Sequence, residues 1–584
     1  MNINREFKAS FAKLKLSLKR FPYPLIFSTL TTLILIFIIN IEDKLNLTTA
    51  ETFVKYAMAL ALGFPLFLII KVYFEKIKPV SKINKIIIRF VAFFSLIIYY
   101  IFLLNKMNMV TISRYIAVSL SLYLLFLVIP YFYNRKNFEL YVVKIFSRLI
   151  VTGVYSLILF AGISVILFTL NELLNIPITE TFYPSTALLI VGIFAPVFLL
   201  AKIPKQNEIL DIKEYPIIFK ILLTYIIMPL ITIYTTILYI YFIKIIITQQ
   251  LPQGLVAHLV IWYASLSVII IFFISPYKDK NQWIKTFRKW LPIALIPLLS
   301  MMFLAMYIRI DAYGFTENRY FVLVLGLWIL GIALYYIFSK KKNNLLLPLS
   351  LSIILILSVF GPWSSYSVSI YSQNQRFENI LKEYNMVKNE SIIKNKTIIN
   401  ENDQEQIQAI FRYFKNNHSL NDLKYLPDDF KTEDTQEFFG FKYNSKYSPQ
   451  NANYFNYYLD RNQKTVNIKQ YDYMVKFPNK NNEAFISEDN LTINFVDNNK
   501  EIIIIRNNKE IYRQSLIPIL SQLHQKNKNT EKENLNLNDF SYTKEINNYK
   551  IKMIFTTLSG RENTQKSSEI NIIKLDFYLL IGEF

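Results

Sequence analysis

The sequence predicts a polytopic α-helical membrane bundle of about eleven transmembrane helices followed by a soluble α+β domain. Three observations predict it. Residues 1–363 hold long apolar runs, whereas residues 364–584 are polar and rich in Asn and Lys. The apolar part carries 35 Lys+Arg against 14 Asp+Glu and the polar part 29 against 28, so nearly all of the +22 charge belongs to the apolar half. The runs also have the length that a hydrocarbon core of about 30 Å requires, roughly 20 residues each. Nucleic-acid binding would need the basic excess on the soluble part, so no nucleic acid is expected as a partner.

In chain order, residues 1–23 form a basic segment carrying Arg5, Lys8, Lys13, Lys15, Lys19 and Arg20. The expected spans are 24–40, 53–70, 86–104, 112–133, 145–170, 185–201, 216–247, 254–275, 290–307, 320–338 and 345–363. The first is too long for the apolar core of a signal peptide and no small-residue cleavage site follows it. Counted over alternate connections, one side collects 28 Lys and Arg and the other seven: Lys44, Lys55, Lys106, Arg114, Lys244, Arg309 and Arg319. Loops that stay inside accumulate positive residues, so the N-terminus is expected in the cytoplasm of a cell whose inner membrane the protein spans. Eleven crossings then put residues 364–584 outside the cytoplasm. The expected organisation is a cytoplasmic segment 1–23, a transmembrane domain 24–363 and an extracytoplasmic domain 364–584.

In the polar part, Phe377, Ile380, Leu381 and Tyr384 recur at helical spacing within 373–388, and Ile407, Ile410, Phe411 and Phe414 do so in a second helix capped by Asn402 or Asp403. Strands are expected at 466–477, 491–497, 500–506, 549–557 and 570–581, with a hairpin turn at Asp497-Asn498-Asn499 and one helix at 512–525. Helices and strands mixed in this way predict α+β.

Chemistry is harder to find. The chain has no Cys, which removes thiolate metal sites, disulfides and cysteine nucleophiles, and its three histidines (His258, His418, His524) are scattered. No phosphate loop or nucleophile elbow appears, so neither metal nor cofactor is expected. The acid pairs Asp428-Asp429, Glu433-Asp434 and Glu488-Asp489 read as solvated surface, and His418 and His524 as polar helix ends.

The most unusual short stretch is Arg309 to Tyr320, between the ninth and tenth spans. Arg309 and Arg319 sit on the side otherwise poor in positive charge, with Asp311, Tyr313 and Glu317 between them. Charge at that depth is costly unless paired, and Asp311 and Glu317 are available to neutralise the two Arg in a compact turn. The other reading is a ligand site in which the Arg forks hold an anion and the acids orient them. Lys55, Lys244, Glu172 and His258 also lie toward the outer helix ends, where a long side chain reaches the interface.

Three stretches carry a resemblance: Lys19-Arg20-Phe21-Pro22; Arg309-Ile310-x-x-Tyr313-Gly314-x-Thr316-Glu317-x-Arg319-Tyr320; and Gly361-Pro362-Trp363-x-x-Tyr366-Ser367-Val368-Ser369, leading into Ser372-Gln373-x-x-Arg376. In these and in its layout the whole chain resembles an uncharacterised bacterial membrane family, the domain of unknown function 4153. That resemblance implies an integral membrane protein with an appended soluble domain and implies no reaction.

The expected function is an envelope-associated interaction, sensing or assembly protein with an outer-facing site for lipid or a partner. Membrane lipids are the expected partners, with envelope proteins or lipid-linked glycans beside them. The alternative is a lipid-linked glycosyl or acyl transferase in which Asp43, Asp311 or Glu317 acts as base. Its usual long first outer loop is lacking here, where 41–52 is short. A transporter ranks below both, because no acid sits at mid-span and Gly is scarce.

Overall fold

The computed structural model describes residues 15, 17–41, 46–76, 81–105, 107–132, 137–174, 176–204, 211–248, 255–388, 391–394, 399–443, 454–460, 465–478, 483–486, 490–496, 500–527, 534–546, 548–563 and 566–583. Asp43, Lys44, Lys106, the Glu488-Asp489 pair and the Asp497–Asn499 turn lie outside them. The chain divides into two compact units, one of residues 1–398 with 410–440 and one of residues 399–409 with 441–584.

Among the described residues, ten helices of the first unit are long and apolar enough to cross a membrane. They are α1 (Pro22–Ile41), α2 (Leu47–Lys76), α3 (Lys82–Leu103), α4 (Met109–Val128), α5 (Phe138–Leu174), α6 (Phe182–Leu200), α7 (Ile217–Thr248), α8 (Leu255–Ile274), α9 (Gln282–Tyr313) and α10 (Glu317–Phe338). The eleventh expected span forms the shorter α11 (Leu346–Val359). Its 14 residues rise about 21 Å, less than a hydrocarbon core. Its flanks make up the difference: Asn344 accepts the Tyr336 hydroxyl at 2.7 Å, and the Trp363 carbonyl accepts the Tyr320 hydroxyl at 2.7 Å. Residues 344–363 therefore return the chain over the same thickness that α10 covers.

Helices α8, α9 and α10 form the centre, where Ala264, Leu299, Met302 and Ile329 are fully buried in one cluster. Outer helices instead expose Ile83, Phe90 and Phe102 of α3 and Leu157 and Ile158 of α5, faces that lipid satisfies and water does not. Close crossings use small residues after all. A Cβ on Gly63 of α2 would fall 2.3 Å from the Phe27 ring of α1, and one on Gly192 of α6 would fall 1.9 Å from Thr32. Gly192 lies in a π turn, Ile190–Phe194, and its carbonyl accepts the Ser28 hydroxyl.

Polar bonds tie the helix ends together in two sets. Arg20 grips Glu75 through Nε (3.1 Å) and Nη2 (2.7 Å) and donates to the carbonyl of Ile203 (2.7 Å), joining the start of α1 to the ends of α2 and α6. At the opposite ends, Lys55 donates to the Asn105 carbonyl (2.7 Å) and Arg114 to that of Val359 (3.2 Å). These bonds join only ends that an up-and-down bundle puts on the same side.

After α11 come α12 (Ser365–Glu383), a hairpin of β1 (Val387–Lys388) and β2 (Ser391–Ile392), α13 (Glu401–Asn417) and α14 (Thr435–Phe439). Helix α12 starts eight residues earlier than the apolar spacing suggests, because the Ser364 side chain caps it by accepting from Ser367 N. The cap of α13 is also earlier than expected: Asn400 Oδ1 accepts the Asp403 amide at 2.8 Å. Phe377, Phe411, Phe430 and Phe439 pack ring against ring within the first unit. The composition change at Gly361-Pro362-Trp363 thus falls inside a compact unit that reaches Gly440.

The second unit is built on two sheets. The six-stranded one has the order β4 (Tyr473–Phe477), β12 (Lys566–Glu583), β11 (Tyr549–Asn563), β3 (Tyr454–Leu459) and β9 (Asn534–Leu535), with β10 (Ser541–Ile546) also paired to β11. The other is an antiparallel meander of β5 (Glu483–Ile486), β6 (Leu491–Val496), β7 (Glu501–Arg506) and β8 (Lys509–Ser515). Phe477 and Phe577 of the first sheet meet Phe495 of the second, and Leu516, Ile519 and Leu520, in and just before α15 (Ile517–Asn527), join the same core. The helix expected at 512–525 begins at Ile517 because the preceding residues pair as β8.

Candidate functional site

The end of α9 and the start of α10 frame the Arg309–Tyr320 turn. Helix α9 stops at Gly314, whose φ of 68° and ψ of 179° suit glycine alone, and whose amide closes the helix onto the Ile310 carbonyl at 2.7 Å. A Cβ there would also fall 2.7 Å from Arg376 Cδ and 2.9 Å from Gln373 Nε2. The turn is clamped by one face of α12. The Phe315 amide donates to Ser372 Oγ (2.9 Å), Gln373 Nε2 donates to the carbonyls of Tyr313 (3.0 Å) and Phe315 (2.7 Å), and Arg376 Nη1 donates to that of Tyr313 (2.9 Å). Arg319 Nη1 donates to Tyr313 (3.1 Å) and Gly314 (2.6 Å) carbonyls, with its guanidinium 5.5 Å from the Tyr313 ring centre. Two guanidinium groups thus satisfy the last carbonyls of α9, the end that favours cations.

The ion pairs expected inside the turn do not form. Arg309 and Asp311 both lie on α9, and Glu317 and Arg319 both on α10, two residues apart, so the members of each pair point in different directions. Arg309 makes neither a hydrogen bond nor an ion pair among the described residues, and Asp311 is exposed and makes no ion pair among them. Arg309 and Arg376 instead lie within electrostatic range of Arg319, which collects three guanidinium groups around one turn. Burial is the main influence on Arg376 and lowers its pKa.

Glu317 faces a different set of residues. Its Oε1 accepts the Tyr413 hydroxyl (2.6 Å) and lies 2.7 Å from His418 Nε2, which is 3.0 Å from the Tyr413 oxygen. The His418 side chain is 3% exposed and that of Glu317 17%, so this is a buried trio rather than a surface pair. Burial first, then the hydrogen bond to Glu317 and its charge, push the Tyr413 phenol well above its usual range and keep it a donor. Beside the trio, α12 buries the hydroxyls of Ser365, Tyr366 and Ser369 without a hydrogen-bond partner in the described structure. Ser113 and Ser365 are among the polar neighbours of Tyr366.

The reading of His418 as a polar helix end is therefore corrected: it is buried and bonded to Glu317. Sequence reasoning also missed Ser372, Gln373, Arg376 and Tyr413 as members of the site, although the first three stood in a quoted motif. His524 belongs elsewhere, stacked 4.0 Å from Phe455 in the core of the second unit. Lys55 is tied to Glu51 at 2.9 Å, Glu172 accepts from Asn171 at 3.0 Å, and Lys244 and His258 are exposed; no contact joins these four among the described residues.

Comparison with known proteins gives a family and no activity. The chain is similar to an uncharacterized protein of Pasteurella multocida (strain Pm70), 26% identical over 258 residues, or 43% of this chain and 44% of that protein. It thus spans under half the length of that relative. No solved structure matches it. The family model described as a domain of unknown function (DUF4153) matches residues 25–386, which takes in the turn and all of α12 but stops short of Tyr413 and His418. That match covers more than half of the chain, and the protein belongs to this family of unknown function, with a helical region built for many membrane crossings.

Proposed function

We propose that the protein is a multi-pass inner-membrane protein of the cell envelope that acts in assembly, sensing or homeostasis by holding an anionic group, on a lipid or a lipid-linked glycan, at Arg309 and Arg319. The observation that carries this reading is the cluster of three guanidinium groups at a turn whose own acids are turned elsewhere. Capping accounts for part of Arg319, but its Nε and Nη2 make no hydrogen bond among the described residues, and a guanidinium fork matches phosphate or carboxylate with two parallel bonds. Tyr313 stacks on that fork. The orientation, N-terminus in the cytoplasm and turn outside, rests on the 28-to-7 division of positive residues and is supported by the ties that return α11 across the thickness of α10. Transfer chemistry is the weaker reading: Asp311 is exposed, and Glu317, held by two donors, is poorly placed to take a proton from a substrate.

Arg309→Ala is the clean test, because this side chain makes no hydrogen bond or ion pair among the described residues. Purified full-length protein in nanodiscs should lose anionic phospholipid binding about fivefold on this change, the factor expected for one basic residue at about 1 kcal/mol. Equal binding by wild type and variant at equal thermal stability would remove the turn as a site.

A further inference from the structure

A second unpaired guanidinium lies at the other end of the bundle. Arg288, in the second turn of α9, is 7% exposed, and its Nε has no hydrogen-bond partner; the side chain as a whole makes no hydrogen bond or ion pair among the described residues. A buried charge in that state is costly, on the order of several kcal/mol, unless something supplies the missing bonds. Glu139 and Asp279 lie within electrostatic range, yet Glu139 Oε1 is taken by Asn344 Nδ2 at 2.6 Å, and Asn344 Oδ1 by the Tyr336 hydroxyl. Acids nearby thus lower the cost without closing the site.

Two exposed ammonium groups add to it. Arg288 and Lys278 both lie within electrostatic range of Lys342, and burial, followed by repulsion from Arg288 and then Lys278, lowers the Lys342 pKa. Lys342 also sits over the Tyr336 ring, 5.8 Å from its centre. Three connections bring these cations together: the segment before α9, α9 itself and the segment before α11. On the same stretch of α9, Trp283 and Trp290 are exposed at 47% and 59%, one on each side of Arg288 in sequence. Indole rings of this kind settle at the boundary between lipid tails and headgroups, which puts Arg288 at headgroup depth.

We propose that Arg288, with Lys342 and Lys278 at its mouth, binds the phosphate of an anionic phospholipid headgroup at this face of the bundle. The headgroup oxygens would supply the bonds that the guanidinium lacks, and the two ammonium groups would select an anionic over a zwitterionic lipid. This site does not depend on the outer-turn reading, since it lies at the opposite end of α9 and shares no residue with it.

The test uses the full-length protein in phosphatidylcholine nanodiscs with and without phosphatidylglycerol, with lipid retained after detergent exchange counted by native mass spectrometry. Lys342→Gln, an exposed change that leaves the fold intact, should weaken phosphatidylglycerol retention about fivefold, and Arg288→Gln should abolish one retained lipid. Lys509→Gln, in the second unit, controls for net charge and should change nothing. In a second arm, inorganic phosphate at millimolar concentration should fail to displace the lipid; displacement would assign the site to free phosphate and overturn the lipid source. Retention by Lys342→Gln and Arg288→Gln equal to wild type, with unchanged melting temperature, would overturn the site itself. If Arg288→Gln does not fold, Lys342→Gln and Lys278→Gln decide the matter alone.

Discussion

Glu317→Ala is expected to destabilise the first unit by about 3 kcal/mol, because it strands two buried groups at once. The His418 imidazole and the Tyr413 hydroxyl both meet Glu317 Oε1, and with it gone neither has the carboxylate it was buried against. Differential scanning measurements in nanodiscs should show the loss as a lower midpoint, and Glu317→Gln, which keeps an acceptor oxygen, should recover part of it. Asp311→Ala, six residues earlier and exposed, should stay within about 0.5 kcal/mol of wild type. If Glu317 and Asp311 behaved alike, both within the 0 to 1 kcal/mol of surface pairs, the buried trio would be wrong and the neutralised-turn reading right.

The second large effect belongs to the other unit. Phe577 is fully buried among Phe477 (5.6 Å between ring centres), Phe495 (5.3 Å) and Phe555 (6.0 Å), so it joins both sheets. Phe577→Ala removes those contacts and leaves a cavity, a loss of about 3 to 5 kcal/mol. Amide hydrogen exchange of β11 and β12 in the full-length protein should speed up by roughly a hundredfold or more, since 1.4 kcal/mol is tenfold. Tyr578→Ala, whose side chain points to the other face of the strand and is half-buried, should cost much less. Equal exchange in the two variants would mean that the sheets do not share this core.

How much of this could be read in the sequence follows from how local each signal is. The spans were legible because each is a continuous apolar run, although α2 and α9 extend well past the expected 53–70 and 290–307, and the eleventh is shortened to the helix Leu346–Val359, whose flanks are tied to α10. Strand β6 was legible from its apolar alternation and β7 from its run of four isoleucines, whereas the short β5 and β9 are held by their partners β6 and β3 and carry little pattern of their own. The Arg309–Tyr320 turn stood out for its charge in an apolar setting. Its partners did not, because Ser372, Gln373 and Arg376 lie 57 to 63 residues away, and Tyr413 and His418 lie 96 and 101 from Glu317. The expected ion pairs failed on a point the sequence did contain: once α9 and α10 are helical to their ends, residues two apart cannot face each other. The composition boundary at Gly361 marks where apolar runs stop, and packing continues past it because α12 lays its Ser372–Arg376 face on the turn.

The most direct test of the proposed outward orientation of the turn uses the absence of cysteine in the chain, so that any introduced thiol is unique. Asp311→Cys and Lys342→Cys are both exposed positions, at opposite ends of α9 and α10. A membrane-impermeant maleimide applied to intact spheroplasts should label Asp311→Cys at once and Lys342→Cys only after permeabilisation. Labelling of Lys342→Cys in intact spheroplasts, with Asp311→Cys protected, would turn the bundle over, put the guanidinium cluster on the cytoplasmic side and contradict the account.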